Sequence, residues 1–179
     1  MSAETNLQML SGLFDMSCVE LFTGLNCTIE KTDEPMARSA DDPIAIVDAG
    51  SDELEIAVVL QLPVNILALS YRSDIDITQV AEEVLEDWIA ELSNQLIGKL
   101  KNKLLAYNVQ LKLGLPNAYF GADISELIPK TQHYIVSVFN IDNELLEIVL
   151  CVDILDDSLD LSATSVDDDG PVGGELELF

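Results

Sequence analysis

Basic residues are scarce in this chain, and none occurs after Lys130: 8 Lys and Arg stand against 33 Asp and Glu, a formal net charge of -25. Such a field repels phosphates, which excludes charge-driven binding to nucleic acid or to an anionic membrane surface. A partner with a basic face fits it, and so does solubility with no partner at all. Histidine is nearly absent. The single His133 opens a strand-like segment with no nucleophile elbow nearby, so a histidine-dependent triad is excluded and an ordinary strand-end histidine remains. The three cysteines, Cys18, Cys27 and Cys151, are odd in number and widely spaced. With no CxxC pair and no HExxH they form neither a disulfide framework nor a zinc site, and they suit buried thiols in a reducing compartment. Met1 to Asn6 lacks the basic start and apolar core of a signal peptide. The most apolar stretch, Leu54 to Leu69, is broken by Glu55, Gln61, Pro63 and Asn65. It reads as a strand running into a short helix rather than a membrane span. A cytoplasmic protein without membrane contact is therefore expected. Gly98-Lys99 lacks the preceding glycine of a phosphate loop, and Asp167-Asp168-Asp169-Gly170 lacks the alternating ligands of a calcium loop. No metal or cofactor of its own is expected.

What the chain does have is apolar patterning, 49% of its 179 residues, enough for one domain with a real core. Leu7 to Leu25 predicts an amphipathic helix ending near Gly24, and Cys27 to Glu30 a short strand. Lys31 to Asp42, with Pro35, reads as an exposed loop. Ile44 to Val47 and Leu54 to Leu62 predict a hairpin turning at Asp48 to Asp52, followed by a helix started by Pro63 over Val64 to Tyr71. Thr78 is positioned to cap a long helix with Glu82 and Glu83 early and Lys99, Lys101 and Lys103 late, which complements the helix dipole. Val109, Leu111 and Leu113 alternate as in a half-buried strand, and Gly114 to Gly121 reads as a loop holding Pro116. Tyr134 to Phe139 and Leu145 to Val152 predict two more strands. The order of helix, strands, helix, strands predicts an α+β fold: an antiparallel sheet of about six strands with two long helices on one face. Residues 1–155 are read as the domain. The acidic segment 156–179 is expected to stay disordered or lie loosely on the surface, with a docking peptide at Glu175 to Phe179 as the functional alternative.

The segment that carries chemistry lies in the middle of the long helix, at Asp87-Trp88-Ile89-Ala90-Glu91-Leu92-Ser93-Asn94. Glu91 and Asn94 are three residues apart, so their side chains sit side by side one turn apart. With Ala81, Val84, Leu85, Trp88, Ile89, Leu92 and Leu96 as the apolar face, Glu91 falls about 100° and Asn94 about 160° from its centre. Core packing does not account for that pair. A carboxylate beside a carboxamide can hold a cation with one group and orient a water with the other. Gly98 follows one turn later, at a cost of about 1 kcal/mol against alanine in a helix interior. A bare patch where another protein approaches closely would explain it. Glu83 and Asp87 extend an acidic strip toward Glu91 that suits a basic rim on a partner, or simply a solvated helix face. The first helix holds Glu20 and Thr23 at the same spacing.

Glu91-Leu92-Ser93-Asn94 with Gly98, then an alternating strand and Leu115-Pro116 with Gly121, preceded by a hairpin and a proline-started helix, resembles the CheX/CheC family of chemotaxis phosphatases. The likeness covers most of residues 5–153. With Glu20 and Thr23 in place of a second motif, the single-site CheX type is nearer. The resemblance implies hydrolysis of the aspartyl phosphate on a response regulator such as CheY. In that reading Glu91 pairs with a lysine of the regulator's active site and Asn94 orients the attacking water. Glu83, Asp87 and Gly98 meet the partner, and the regulator brings its own magnesium. Where the family commonly has Asn after the motif glycine, this chain has Lys99. Two other readings stand beside it: a non-catalytic domain that binds a receiver or a flagellar-switch-like partner, and a structural subunit that dimerises through its sheet edge.

Overall fold

The computed structural model describes residues 2–34, 42–71, 80–120 and 124–162. The first helix, α1 (Ala3–Gly24), begins earlier than its apolar pattern, because the Ser2 hydroxyl accepts the Thr5 N–H at 3.3 Å and caps it. Leu10, Leu13, Phe14, Cys18, Leu21 and Phe22 form its buried face. Strand β1 (Ile29–Lys31) follows, then the hairpin β2 (Ile44–Gly50) and β3 (Leu54–Gln61). Its turn is tightened by the Ser51 hydroxyl, which accepts the N–H groups of Glu53 and Leu54. Helix α2 (Val64–Tyr71) lies where Pro63 predicts it, and α3 (Glu82–Leu104) is the long helix. Its N-cap is Ala81, with no side-chain hydrogen bond; Thr78 lies outside the described residues, as does most of the expected loop 31–42.

After a short 3-10 turn at Leu105–Tyr107 come β4 (Lys112–Leu113) and β5 (Asn117–Tyr119), then α4 (Ile124–Leu127), β6 (His133–Ile141) and β7 (Glu144–Ile154). The turn between β6 and β7 places Asp142 and Asn143 at φ 49° and 73°. Asp and Asn tolerate this left-handed conformation, which a two-residue hairpin needs to match strand twist.

All pairings are antiparallel. The seven strands run β1-β6-β7-β3-β2-β4, with β5 also on β2. The seventh strand, β5, falls in the predicted loop 114–121. Three residues carry too little pattern to be read as a strand; pairing with Ile44 to Ile46 makes them one. Helix α1 lies over β1 and β6, while α3 lies over β2, β3 and β5, and the two helices pack on each other. The main core fills the space between them and the residues Val47, Val58, Leu60, Phe139, Ile148 and Leu150 of the sheet. The sheet's other face is apolar as well. Val59, Val149, Ala57 and Cys151 are buried there, with Leu127 and Ile128 packed against them. The fold is thus covered on both sides in its centre, which the expectation of helices on one face did not include.

The predicted boundary at 155/156 falls inside packed structure. Leu159 is 4% exposed and Leu161 fully buried. Asn6 holds them: its side-chain amide donates to the Leu159 carbonyl at 2.7 Å, and its carbonyl accepts the Leu161 N–H at 3.1 Å. Residues 163–179, including Asp167 to Asp169 and the peptide Glu175 to Phe179, lie outside the described residues. Among the described residues no helix is long and apolar enough to cross a membrane.

Candidate functional site

The buried residues of α3 are Leu85, Ile89, Leu92, Ser93, Leu96, Ile97, Leu100 and Leu104. Their centre differs from the one read off the sequence. Val84 is exposed and Trp88 only half-buried, while Ile97, Leu100 and Leu104 extend the core stripe toward the C-terminus. On the observed stripe Glu91 lies about 170° and Asn94 about 130° from the centre. Glu91 is exposed and Asn94 half-buried. Ser93 beside them is buried, and its hydroxyl is satisfied by the Ala90 carbonyl at 2.8 Å. The N-terminal half of the helix is fixed from the other side. The Trp88 indole donates to Ser70 Oγ at 3.0 Å and meets Tyr71 edge to face at 5.4 Å.

The carboxylate is oriented by its own helix. Gln95 Nε2 donates to Glu91 Oε1 at 2.8 Å, one turn away, and among the described residues no hydrogen bond takes up the second oxygen, which can meet a cation. Glu83 and Asp87 are both exposed and continue the same strip toward the N-terminus. Gly98 is directly in line with Glu91, about 170° from the core centre. A Cβ built on it meets nothing within 4 Å, so nothing among the described residues demands glycine there.

The flank on which Asn94 stands is set by the second helix. Lys103 pairs with Glu20 of α1. The nine residues from Asn94 to Lys103 turn the helix by about 900°, so the two face opposite sides. Asn94 therefore points away from α1, toward the sheet edge where β5 lies. The same ion pair decides the fate of the first helix: Glu20, its counterpart to Glu91, is neutralised by Lys103, while Thr23 is exposed.

Other chemistry is thin. Among the described residues no cluster of His, Cys, Asp and Glu could hold a metal ion. Burial pushes the Cys18 thiol well up, and it lifts Cys27 and Cys151 to about 11. All three are protonated at neutral pH and unfit as nucleophiles. A pocket of about 360 Å³ on the far sheet face brings together Asp48, Glu55, Asp153 and Lys130, which no sequence motif marks. Glu55 and Asp153 are direct cross-strand partners, so the only route to this grouping was the strand register.

No protein-family model matches the chain, and no curated protein matches it in sequence. Solved structures do. A chemotaxis protein CheX from Desulfovibrio desulfuricans superposes with a TM-score of 0.63 at 12% identity, over 80% of this chain and 99% of that one. The fold is that of the CheX and CheC-like chemotaxis proteins. The CheX-like match recurs in the CheX-CheY-BeF3-Mg2+ complex from Borrelia burgdorferi, with a TM-score of 0.61 at 13% identity over 82% of this chain and 97% of that one. The FliM middle domain from H. pylori also shares the fold, at a TM-score of 0.56 and 9% identity, over 84% and 92% of the two chains. The resemblance first carried by a short helix motif thus extends through the whole CheX-like architecture.

Proposed function

We propose that this protein is a phosphatase of the CheX type that hydrolyses the aspartyl phosphate of a CheY-like response regulator. The observation that carries the reading is the pair Glu91 and Asn94 on the outward side of α3, free of α1, in a CheX-like fold. Glu91 contacts a lysine of the receiver's active site, and Asn94 reaches into that site and holds the attacking water in line. Phosphoryl transfer asks mainly for such positioning and for charge stabilisation, so no covalent intermediate on this chain is required. The receiver supplies the phosphoryl group and its magnesium ion. Glu83, Asp87 and the bare backbone at Gly98 form the docking surface around the pair. The protein works in the cytoplasm, where phosphorylated receivers are found. A homodimer through the β1 edge of the sheet is compatible with this use of α3, because that edge lies on the far side of α1 from the strip.

The likeness to FliM supports a second reading, a receiver-binding domain without catalysis. Lys99, in place of the usual Asn, is where the two readings part. One experiment separates them: the decay of labelled phosphate on a receiver domain with and without this protein. Accelerated decay that Asn94→Ala abolishes supports the phosphatase. Binding with unchanged decay supports the FliM-like role and overturns the phosphatase.

A further inference from the structure

Leu115 is 83% exposed, far beyond Met16 at 54%, the next large apolar side chain among the described residues. A single exposed leucine is ordinary on a protein surface. The way this one is held is not. It sits in the connection between β4 and β5, and its neighbours on both sides are fixed. The Gly114 N–H donates to the Asp48 carbonyl at 2.8 Å, and its Cα packs so tightly on the Asp48 side chain that a Cβ there would collide with the carboxylate. On the other side Pro116 restricts the backbone, and Asn117 pairs with Ile46 of β2. The tip is therefore bolted to β2, the strand on which α3 packs.

Its place relative to the candidate site follows from the topology. Helix α3 covers the β2 end of the sheet and α1 the β1 end, so the flank of α3 turned away from α1 faces β5 and the connection that carries Leu115. That flank is the one on which Asn94 stands. Leu115 stands beside Val47, about 10 Å along β2 from the Gly50 end where the chain returns from α3. It leads directly into β5, which α3 touches.

We infer that Leu115 is the apolar anchor of the receiver-docking surface and sets affinity and partner choice beside the catalytic pair. This rests on the phosphatase or receiver-binding reading and deepens it. The acidic strip Glu83, Asp87 and Glu91 steers a basic rim toward the helix, but solvent-exposed charges lend a complex little residence time. A preformed apolar knob supplies what they lack, since no loop has to be ordered for it to enter a shallow pocket on the partner. The partner is a receiver domain presenting an apolar depression next to its basic active-site rim.

The test uses the full chain and a CheY-like receiver domain loaded with beryllofluoride and Mg2+, with dephosphorylation followed in parallel on phosphorylated receiver. Leu115→Ser is expected to weaken binding about tenfold. The change lies in the dissociation rate, with the association rate and its salt dependence unchanged. KM rises accordingly while kcat stays within twofold. Leu115→Met, which keeps an apolar knob, stays within threefold of wild type in affinity. Circular dichroism and the melting temperature of both variants verify that the exposed site leaves the fold intact. If wild type binds receivers and Leu115→Ser binds equally well, the anchor is overturned while the reading of the helix stands. If wild type neither binds nor dephosphorylates any receiver in a panel, the functional reading falls and the anchor with it.

Discussion

The two long helices carry the same spacing of an acid and a small polar residue, and the fold treats them oppositely. On α3 Glu91 is exposed, with Gln95 orienting the acid, and Asn94 is half-buried beside it. On α1 Glu20 is tied to Lys103, and the neighbouring outward residues Met16 and Val19 are apolar rather than acidic. They line, with Asp15, Lys31 and Phe139, a shallow pocket of about 350 Å³. One helix therefore presents a charged, polar strip and the other a neutralised, greasy one. A motif in sequence becomes a candidate site only when its charge is left unspent by the surrounding fold.

The comparison can be broken most directly at Asn94. Asn94→Ala is expected to lower the rate of receiver dephosphorylation by about 100-fold with the melting temperature little changed, because positioning of a reacting water is lost while the half-buried side chain lies off the core stripe. The check is phosphate decay on the receiver at matched protein concentration. Glu91→Ala should weaken the complex about tenfold, near 1.4 kcal/mol, through loss of a charge-assisted contact. Titration calorimetry measures it. Gly98→Ala separates folding from docking: helix stability should rise by about 0.5–1 kcal/mol, since a Cβ meets nothing there, while receiver affinity falls. Denaturant unfolding and binding on the same sample decide it, and equal affinity would show that the bare patch is not used. Lys103→Ala sharpens the contrast from the α1 side. The ion pair is partly exposed, so the loss should be no more than about 1 kcal/mol of stability by denaturant unfolding. Thr23→Asn by itself should leave the dephosphorylation rate within twofold, as long as Lys103 still occupies Glu20.

Much of this was legible beforehand, for physical reasons that can be named. Elements with long periodic patterns, such as α1, β3, α3 and β7, announce themselves, and Pro63 marks the start of α2 within one residue. The outward placement of Glu91 followed from 100° steps around a helix, whereas Asn94, read as the more outward of the two, is half-buried. The exact azimuth did not follow, because Trp88 and Val84 read as core by type alone. In the fold Trp88 is half-buried against Tyr71 and Ser70, on the flank of the true stripe. Pairings at long range were hidden. Lys103 and Glu20 are 83 residues apart. The pocket of Asp48, Glu55 and Asp153 depends on strand register, and β5 depends on its neighbour for its conformation. The largest misreading lay at 156–162. Asp156, Asp157 and Asp160 dominate its composition, and they mask the two leucines that complete the core.

The Asn6 clamp has a consequence for how the chain is made. The two hydrogen bonds that fasten α1 to Leu159 and Leu161 span 153 and 155 residues. Helix α1 is synthesised long before those partners, and the apolar surface around Leu10 waits for them. Contacts of such sequence separation are slow to form and leave apolar surface open in the interval. A chain ending between Ile154 and Leu159 would hold a complete sheet with one end of its first helix uncovered, a state that chaperones and proteases are equipped to recognise.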